Sequence, residues 1–317
     1  MSETHAGFAR GWFVVALSGE LGPEQVKPLR YFGRDLVAYR GADGEVRVLD
    51  AHCPHLGAHL GIGGRVVGET IECPFHAWRF DGQGLCAGIP YAQKIPPKAR
   101  VGSWPVRERN GLVFVFHARG GGPPDYEIPV LAEYGDPAWL PWSTKCLTVR
   151  TQPREIVENV ADKAHFPPVH RTEVELFENT FDAVRAVQHT IGVAHPVGGG
   201  EDRFDLTATY YGPAYQITVM DGVLNSRLLL AHTPIDAESL HLRFGVMLRH
   251  VGGNPARTEK FAAGYISNLQ RGFEEDIALW ENKKWRDRPV LCDGDGPIGK
   301  LRKWYRAFYE DAPEEQA

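Results

Sequence analysis

A chain of 317 residues is about twice the ~150 that serves as a soft prior for one domain, so two domains are expected. Lys and Arg number 35 against 40 Asp and Glu, a net charge of −5 that speaks against an electrostatic nucleic-acid binder. The 43% hydrophobic and 24% charged fractions exclude global disorder. No apolar run approaches the ~20 residues of a membrane span. The opening MSETHAGFARGW has no basic region followed by a long apolar one, so a cytoplasmic location is the default expectation. Five cysteines are too few, and odd in number, for a disulfide scaffold, which leaves reduced thiols or metal ligation.

The first third alternates short β-prone runs with turns: 11–16, 36–40, 46–49, 70–72 and 111–117 predict a small sandwich or barrel. At 118–125, ARGGGPPD interrupts every periodic pattern. It reads as an interdomain connector near residue 120, or alternatively as a long hairpin tip, and sets expected domains of 1–120 and 121–317. The second part opens with a predicted helix over 154–166. An antiparallel sheet from 203–211, 215–219, 226–232 and 240–250 follows, then a long helix over 258–285 with apolar residues at helical spacing. Strands followed by a helix give an α+β class. The polar tail DAPEEQA at 311–317 is expected to fray.

Two Cys/His pairs stand out. Cys53 and His55 lie in CPHLGA, and Cys73 and His76 lie in CPFHAWRF. Zinc accepts two thiolates and two imidazoles, but its fingers place the cysteines as one pair and the histidines as another. The alternating order fits better a two-iron, two-sulfide cluster whose one iron is held by thiolates and the other by imidazoles. These motifs, with Gly57, Trp78, Phe80 and the flanking prolines, resemble those of Rieske proteins. Ala58 and Phe75 stand where respiratory Rieske proteins carry an extra disulfide, so the resemblance is to the lower-potential oxygenase and ferredoxin kind. His52 and His59 lie outside both motifs and read as surface or loop-packing residues. Cys86, Cys146 and Cys292 are isolated and read as buried small hydrophobes.

A second constellation begins at Asn159, Asp162 and His165, three residues apart on one side of the predicted helix. His170 would lie ~140° around an unbroken helix from His165, but Pro167 and Pro168 are expected to end the helix and let His170 swing back. Two histidines call for a carboxylate if the metal is non-haem iron(II) with open positions. Asp276 falls within ~20° of Leu269 on the apolar face of the long helix, while Glu274 and Glu275 point to the sides expected to meet solvent. An aspartate facing a core needs a cation or hydrogen-bond partners. A capping role for Asp162 and a purely structural one for Asp276 are the alternatives.

The motif and the later aspartate resemble the catalytic domain of Rieske non-haem iron oxygenases, and the similarity extends through WPVRERNGLVFVF and EDIALWENK. GPAYQ at 212–216 and LLLAHTPIDAESLHLRFGVMLR look most like the ketosteroid 9α-hydroxylase and cholesterol 7-desaturase branch. The resemblance implies an all-β Rieske domain and a helix-grip catalytic domain. It implies a mononuclear iron on His165, His170 and Asp276, Asn159 behind them, and Asp162 linking that iron to the cluster of a neighbouring subunit. It further implies a homotrimer fed by a ferredoxin or flavoprotein NAD(P)H reductase, acting on a steroid-like or polycyclic hydrophobic substrate by hydroxylation, desaturation or demethylation. Phe181, Phe204, Tyr210, Tyr211, Tyr215, Leu228 and Leu230 offer apolar side chains for a pocket. GIGG at 61–64 lacks the later glycine and helix of a nucleotide fingerprint, which places reductase chemistry elsewhere. Competing readings are an oxygenase of an aromatic or secondary-metabolite substrate, and an electron carrier whose second domain is not catalytic.

Overall fold

The computed structural model describes residues 7–195, 199–221 and 224–309; the predicted frayed tail lies outside them. The chain divides into two compact units. One comprises Trp12–Glu127 together with Pro234–Ala237, and the other takes in the chain up to Gly11, Ile128–Thr233 and the residues from Glu238 onward. The break therefore falls between residues 127 and 128, and a four-residue return to the first unit is a feature that composition does not signal.

The first unit contains β1 (Gly11–Leu17), β2 (Val26–Tyr31), β3 (Arg34–Arg40), β4 (Val46–Asp50), β5 (Arg65–Val67), β6 (Thr70–Glu72), β7 (Arg79–Phe80), β8 (Cys86–Gly88), β9 (Ser103–Trp104), β10 (Val106–Arg109) and β11 (Leu112–His117). They form three small sheets in the orders β1-β11-β10, β2-β3-β4-β9 and β5-β6-β7-β8. In β1 and β11 consecutive residues are buried on both faces, which is why these runs read as continuous apolar strands. The turn between β2 and β3 is held by Phe32 and Gly33, whose amides donate to the carbonyls of Pro234 and Ile235 at 2.9 and 2.8 Å. This pairing draws Pro234–Ala237 into the first unit.

The second unit is built on one seven-stranded antiparallel sheet: β12 (Ser143–Val149), β13 (Thr172–Phe181), β14 (Arg185–Ala194), β15 (Asp202–Tyr211), β16 (Tyr215–Asp221), β17 (Ser226–Pro234) and β18 (Leu240–Leu248), in the order β12-β18-β17-β16-β15-β14-β13. Among the described residues four α-helices accompany it: α1 (Pro153–Val157), α2 (Phe166–His170), α3 (Pro255–Trp280) and α4 (Ile298–Arg306). Leu228, Leu230, Leu242, Phe244 and Val246 of the sheet pack against Ala262, Leu269, Phe273, Ile277 and Trp280 of α3. Asn254 caps α3 by accepting the Arg257 amide at 3.1 Å, and Pro255 occupies its first turn. The α+β class and the sheet-with-long-helix architecture are as expected.

Local differences have identifiable causes. The predicted helix over 154–166 is three pieces: α1, a tight 3-10 turn over Glu158–Ala161, and α2 after an extended Asp162. The Asp162 carboxylate accepts the amides of Ala164 and His165 at 3.1 and 3.3 Å, a local turn that competes with helical pairing. Pro167 and Pro168 do not end a helix but begin α2, where a missing N–H costs nothing. α3 stops at Trp280, short of residue 285. Beyond it Trp285 is held between the guanidinium groups of Arg154 and Arg302, 4.4 and 3.9 Å from its ring, which draws the chain off the helix axis. Cys146 and Cys292 are exposed and Cys86 is half-buried, against the expectation of burial. The first lies on a sheet-edge strand, and the second in a loop where its amide donates to Asp295.

His232 on β17 is fully buried, with Nε2 3.3 Å from the Tyr210 hydroxyl and Nδ1 without a partner. Burial pushes its pKa down to about 3. The unfolded chain therefore takes up this proton first as pH falls. The neutral ring's contribution is complete above roughly pH 6.5 and is lost at up to roughly 1.4 kcal/mol per pH unit between there and about 3. A His232→Gln variant should show a shallower fall in urea midpoint between pH 7 and pH 5 than the parent; equal slopes would assign the acid sensitivity to other groups.

Candidate functional site

The first unit brings Cys53, His55, Cys73 and His76 together on two loops of the same construction. The Cys53 amide donates to Ala58 O and the Gly57 amide to Cys53 O, both at 2.9 Å. In the second loop the Cys73 amide donates to Trp78 O at 2.8 Å and the Ala77 amide to Cys73 O at 3.1 Å. The fourth residue after each cysteine turns the chain through the left-handed region, Gly57 at φ 78° and Ala77 at φ 57°. A glycine does so freely, whereas an alanine tolerates it at a cost.

Both thiols are almost fully buried, and burial pushes the Cys53 thiol up to about 11, so only a bound metal would hold it as thiolate. The imidazole rings of His55 and His76 lie 4.6 Å apart, and the Nδ1 of each is buried without a hydrogen-bond partner. Two buried thiols and two orphaned imidazole nitrogens on paired loops fit the two-iron, two-sulfide group. His52 is tied to Asp35 at 3.2 Å and to Gly57 O at 3.1 Å, a loop-packing role.

In the second unit His165, His170 and Asp276 offer ligand atoms within 4.8 Å of one another. His165 caps the start of α2 and His170 ends it, and their ring centroids are 5.2 Å apart. The Asp162 carbonyl lies 2.7 Å from His165 Nδ1, which sets the tautomer and leaves Nε2 available. Asp276 is buried on α3, with Oδ1 3.4 Å from His170 Nε2. Burial alone would lower the His170 pKa, but the carboxylates of Asp276 and Glu275 outweigh it and raise it. For Asp162 burial would raise the pKa, yet His165 and the amides of His165 and Ala164 hold the carboxyl below its usual range. Two imidazoles and one buried carboxylate on one side of an open cavity suit non-haem iron.

Beside these three residues opens a cavity of about 380 Å³, within the roughly 300–1,000 Å³ of small-molecule sites. Phe204, Tyr210, Leu228 and Leu230 line it as anticipated, whereas Phe181, Tyr211 and Tyr215 do not. Asn159 lines it too, its Oδ1 accepting the Trp280 indole N–H at 3.2 Å. Asp162 stands outside the lining. Glu275 is not on the solvent side: it borders the cavity 3.7 Å from His170 Nδ1 while pairing with Arg171 at 3.1 Å. Sequence reading also missed Gln188, Gln216 and Thr218, buried polar residues on the sheet face that lines the cavity. Their alternation with apolar neighbours along the strands was the available signal.

Residues 11–105 match the Rieske [2Fe-2S] domain, and residues 115–309 match the 3-ketosteroid 9alpha-hydroxylase C-terminal domain. This chain belongs to the Rieske oxygenases. The oxygenase is 39% identical to a probable 3-ketosteroid-9-alpha-monooxygenase, oxygenase component, of Rhodococcus rhodochrous, over 97% of this chain and 81% of the relative. It is 32% identical to the corresponding component of Mycobacterium tuberculosis, over 97% and 83%, and 32% identical to cholesterol 7-desaturase of Caenorhabditis elegans, over 97% and 78%. Among solved structures, dicamba monooxygenase bound to dicamba superposes on the oxygenase with a TM-score of 0.76 at 22% identity, covering 96% of this chain and 98% of that one, a likeness of fold. The match over the second domain sets aside the reading of a plain electron carrier. The cofactors of the oxygenase are a Rieske [2Fe-2S] cluster and a mononuclear non-haem iron. No helix among the described residues is long and apolar enough to cross a membrane.

Proposed function

We propose that the oxygenase uses O2 to hydroxylate, or alternatively desaturate or demethylate, a steroid-like or polycyclic hydrophobic substrate. The observation that carries this reading is the apolar cavity opening beside His165, His170 and Asp276. The curated relatives in the same branch are named for ketosteroids and for cholesterol.

On this reading Cys53, His55, Cys73 and His76 hold the cluster, while His165, His170 and Asp276 hold the iron. The domains divide the work accordingly, the unit of Trp12–Glu127 for electron entry and the other for oxidation. When bound, the cluster supplies single electrons and the iron activates dioxygen. The chain's own residues do the aiming. Leu228, Leu230 and Phe204 exclude water and hold an apolar substrate beside the ligand triad. Asn159, tied to Trp280, ties the turn before α2 to α3. Asp162 orients His165 through its carbonyl and presents a carboxylate, half-exposed, to a neighbouring subunit.

The relatives' description as oxygenase components implies a separate electron donor. We assign that role to a ferredoxin or flavoprotein NAD(P)H reductase, and the working assembly to a homotrimer in the cytoplasm, where such donors are reduced. A single turnover of pre-reduced protein with 18O2 and a panel of sterols, ketosteroids and simple aromatics tests the substrate class by mass spectrometry. Label in a steroid product is the expected result. Loss of two hydrogens without label would mark a desaturase, and label only in simple aromatics would overturn the steroid reading.

A further inference from the structure

Between the two cluster loops and the surface runs a chain of contacts whose outermost member, Tyr91, lies outside both motifs. The Trp78 indole stacks on His55 with ring centroids 4.7 Å apart and planes 7° from parallel. Trp78 is nearly buried, and its indole N–H donates to the hydroxyl of Tyr91 at 2.8 Å. Tyr91 sits in the turn after β8, where the Ala92 amide donates to Ile89 O, and it is 61% exposed. An aromatic side chain that solvated gains little from burial, so the hydrogen bond is the main interaction the structure gives it.

We propose that Tyr91 is a positioning residue for the Rieske cluster: by holding the Trp78 indole flat against His55, it sets the ligand's orientation and keeps water from that side. The inference rests on His55 being a cluster ligand. Outer residues that orient a ligand and control solvent access tune the group it binds. Two thiolates and two neutral imidazoles make the oxidised site neutral and the reduced site an anion, so excluding water disfavours reduction. The electron-rich indole face beside the imidazole acts in the same direction. Freeing the indole should therefore make the cluster easier to reduce.

The test is the cluster midpoint potential of the full-length holoprotein, followed spectroelectrochemically, for the parent, Tyr91→Phe, Trp78→Phe and the double variant. Tyr91→Phe removes only the acceptor of an exposed side chain. It should shift the electron-uptake equilibrium toward the reduced state by about three- to tenfold, the worth of one hydrogen bond, with iron and sulfide content unchanged. Tenfold corresponds to about 59 mV for one electron. Trp78→Phe keeps a stacking ring and loses the donor, so it should give a rise of the same sign. The double variant should exceed neither single one by much, because both remove the same hydrogen bond. An unchanged or lowered potential in Tyr91→Phe, or shifts that simply add, would overturn the proposal. Nitrogen hyperfine coupling in the reduced parent protein tests separately whether His55 is a ligand at all.

Discussion

With His165 replaced by alanine, substrate oxidation should cease while the red-brown absorption of the cluster persists, and iron should fall from about three atoms per chain to about two with two sulfides retained. The geometry makes the site intolerant of this change. His165 occupies the start of α2 with its Nδ1 committed to the Asp162 carbonyl, so one nitrogen points to the shared ligand position and no other imidazole is paired there with His170 and Asp276 among the described residues. The remaining two ligands could not define a face with open positions for oxygen. The cluster loops belong to the other unit and contain none of these residues. Iron and sulfide analysis with visible spectroscopy checks the outcome; a variant that kept the third iron and turned over normally would remove His165 from the ligand set.

Replacing Asp162 should have a different signature, because it removes none of the three side chains of the triad. Asp162→Ala removes a carboxylate that accepts the amides of Ala164 and His165, and with it the turn that presents His165. Product formation is expected to fall by about 10- to 100-fold, the usual cost of losing an outer partner of a metal ligand, with three irons still bound. Asp162→Asn separates two causes. Its amide oxygen can keep both backbone hydrogen bonds, so a loss as large as that of the alanine variant assigns the effect to the negative charge, and near-normal turnover assigns it to the turn. The rate at which a pre-reduced cluster reoxidises with substrate and O2 is the readout. Undiminished reoxidation in Asp162→Ala would free this residue from any part in electron delivery.

The legible parts of this molecule were those in which chemistry restricts residue type. Cys53-x-His55 and Cys73-x-x-His76 were readable because few structures need thiols and imidazoles at that spacing. Asp276 was readable because an acidic residue on the apolar stripe of α3 contradicts its surroundings unless something binds it. The 154–166 segment misled because its three-residue spacing suits a helix. The side chains of Asp162 and of Glu158, the latter 2.6 Å from Arg302 on α4, redirect the backbone there instead. That partner lies far along the chain, so no local pattern carries it. Tyr91 was equally illegible, since its one informative contact is with a tryptophan in another loop. β13 and β14 were missed because polar residues alternate along them, which is how a sheet face that lines a cavity differs from one that fills a core.

Strands β13–β18 separate α2 from α3 in sequence, and the side chains that meet at the triad are two imidazoles, at the start and end of α2, and a carboxylate on α3 rather than packed hydrocarbon. Both acidic side chains of this stretch, Asp276 and Glu275, lie on α3 against His170, and Arg171 pairs with Glu275 at 3.1 Å, which leaves Asp276 with His170 as its neighbour at the triad. A metal held by these three side chains would bind the folded unit alone and so add to its stability by mass action. Were iron bound at this triad, a cell starved of the metal would hold not merely idle enzyme but a less stable one.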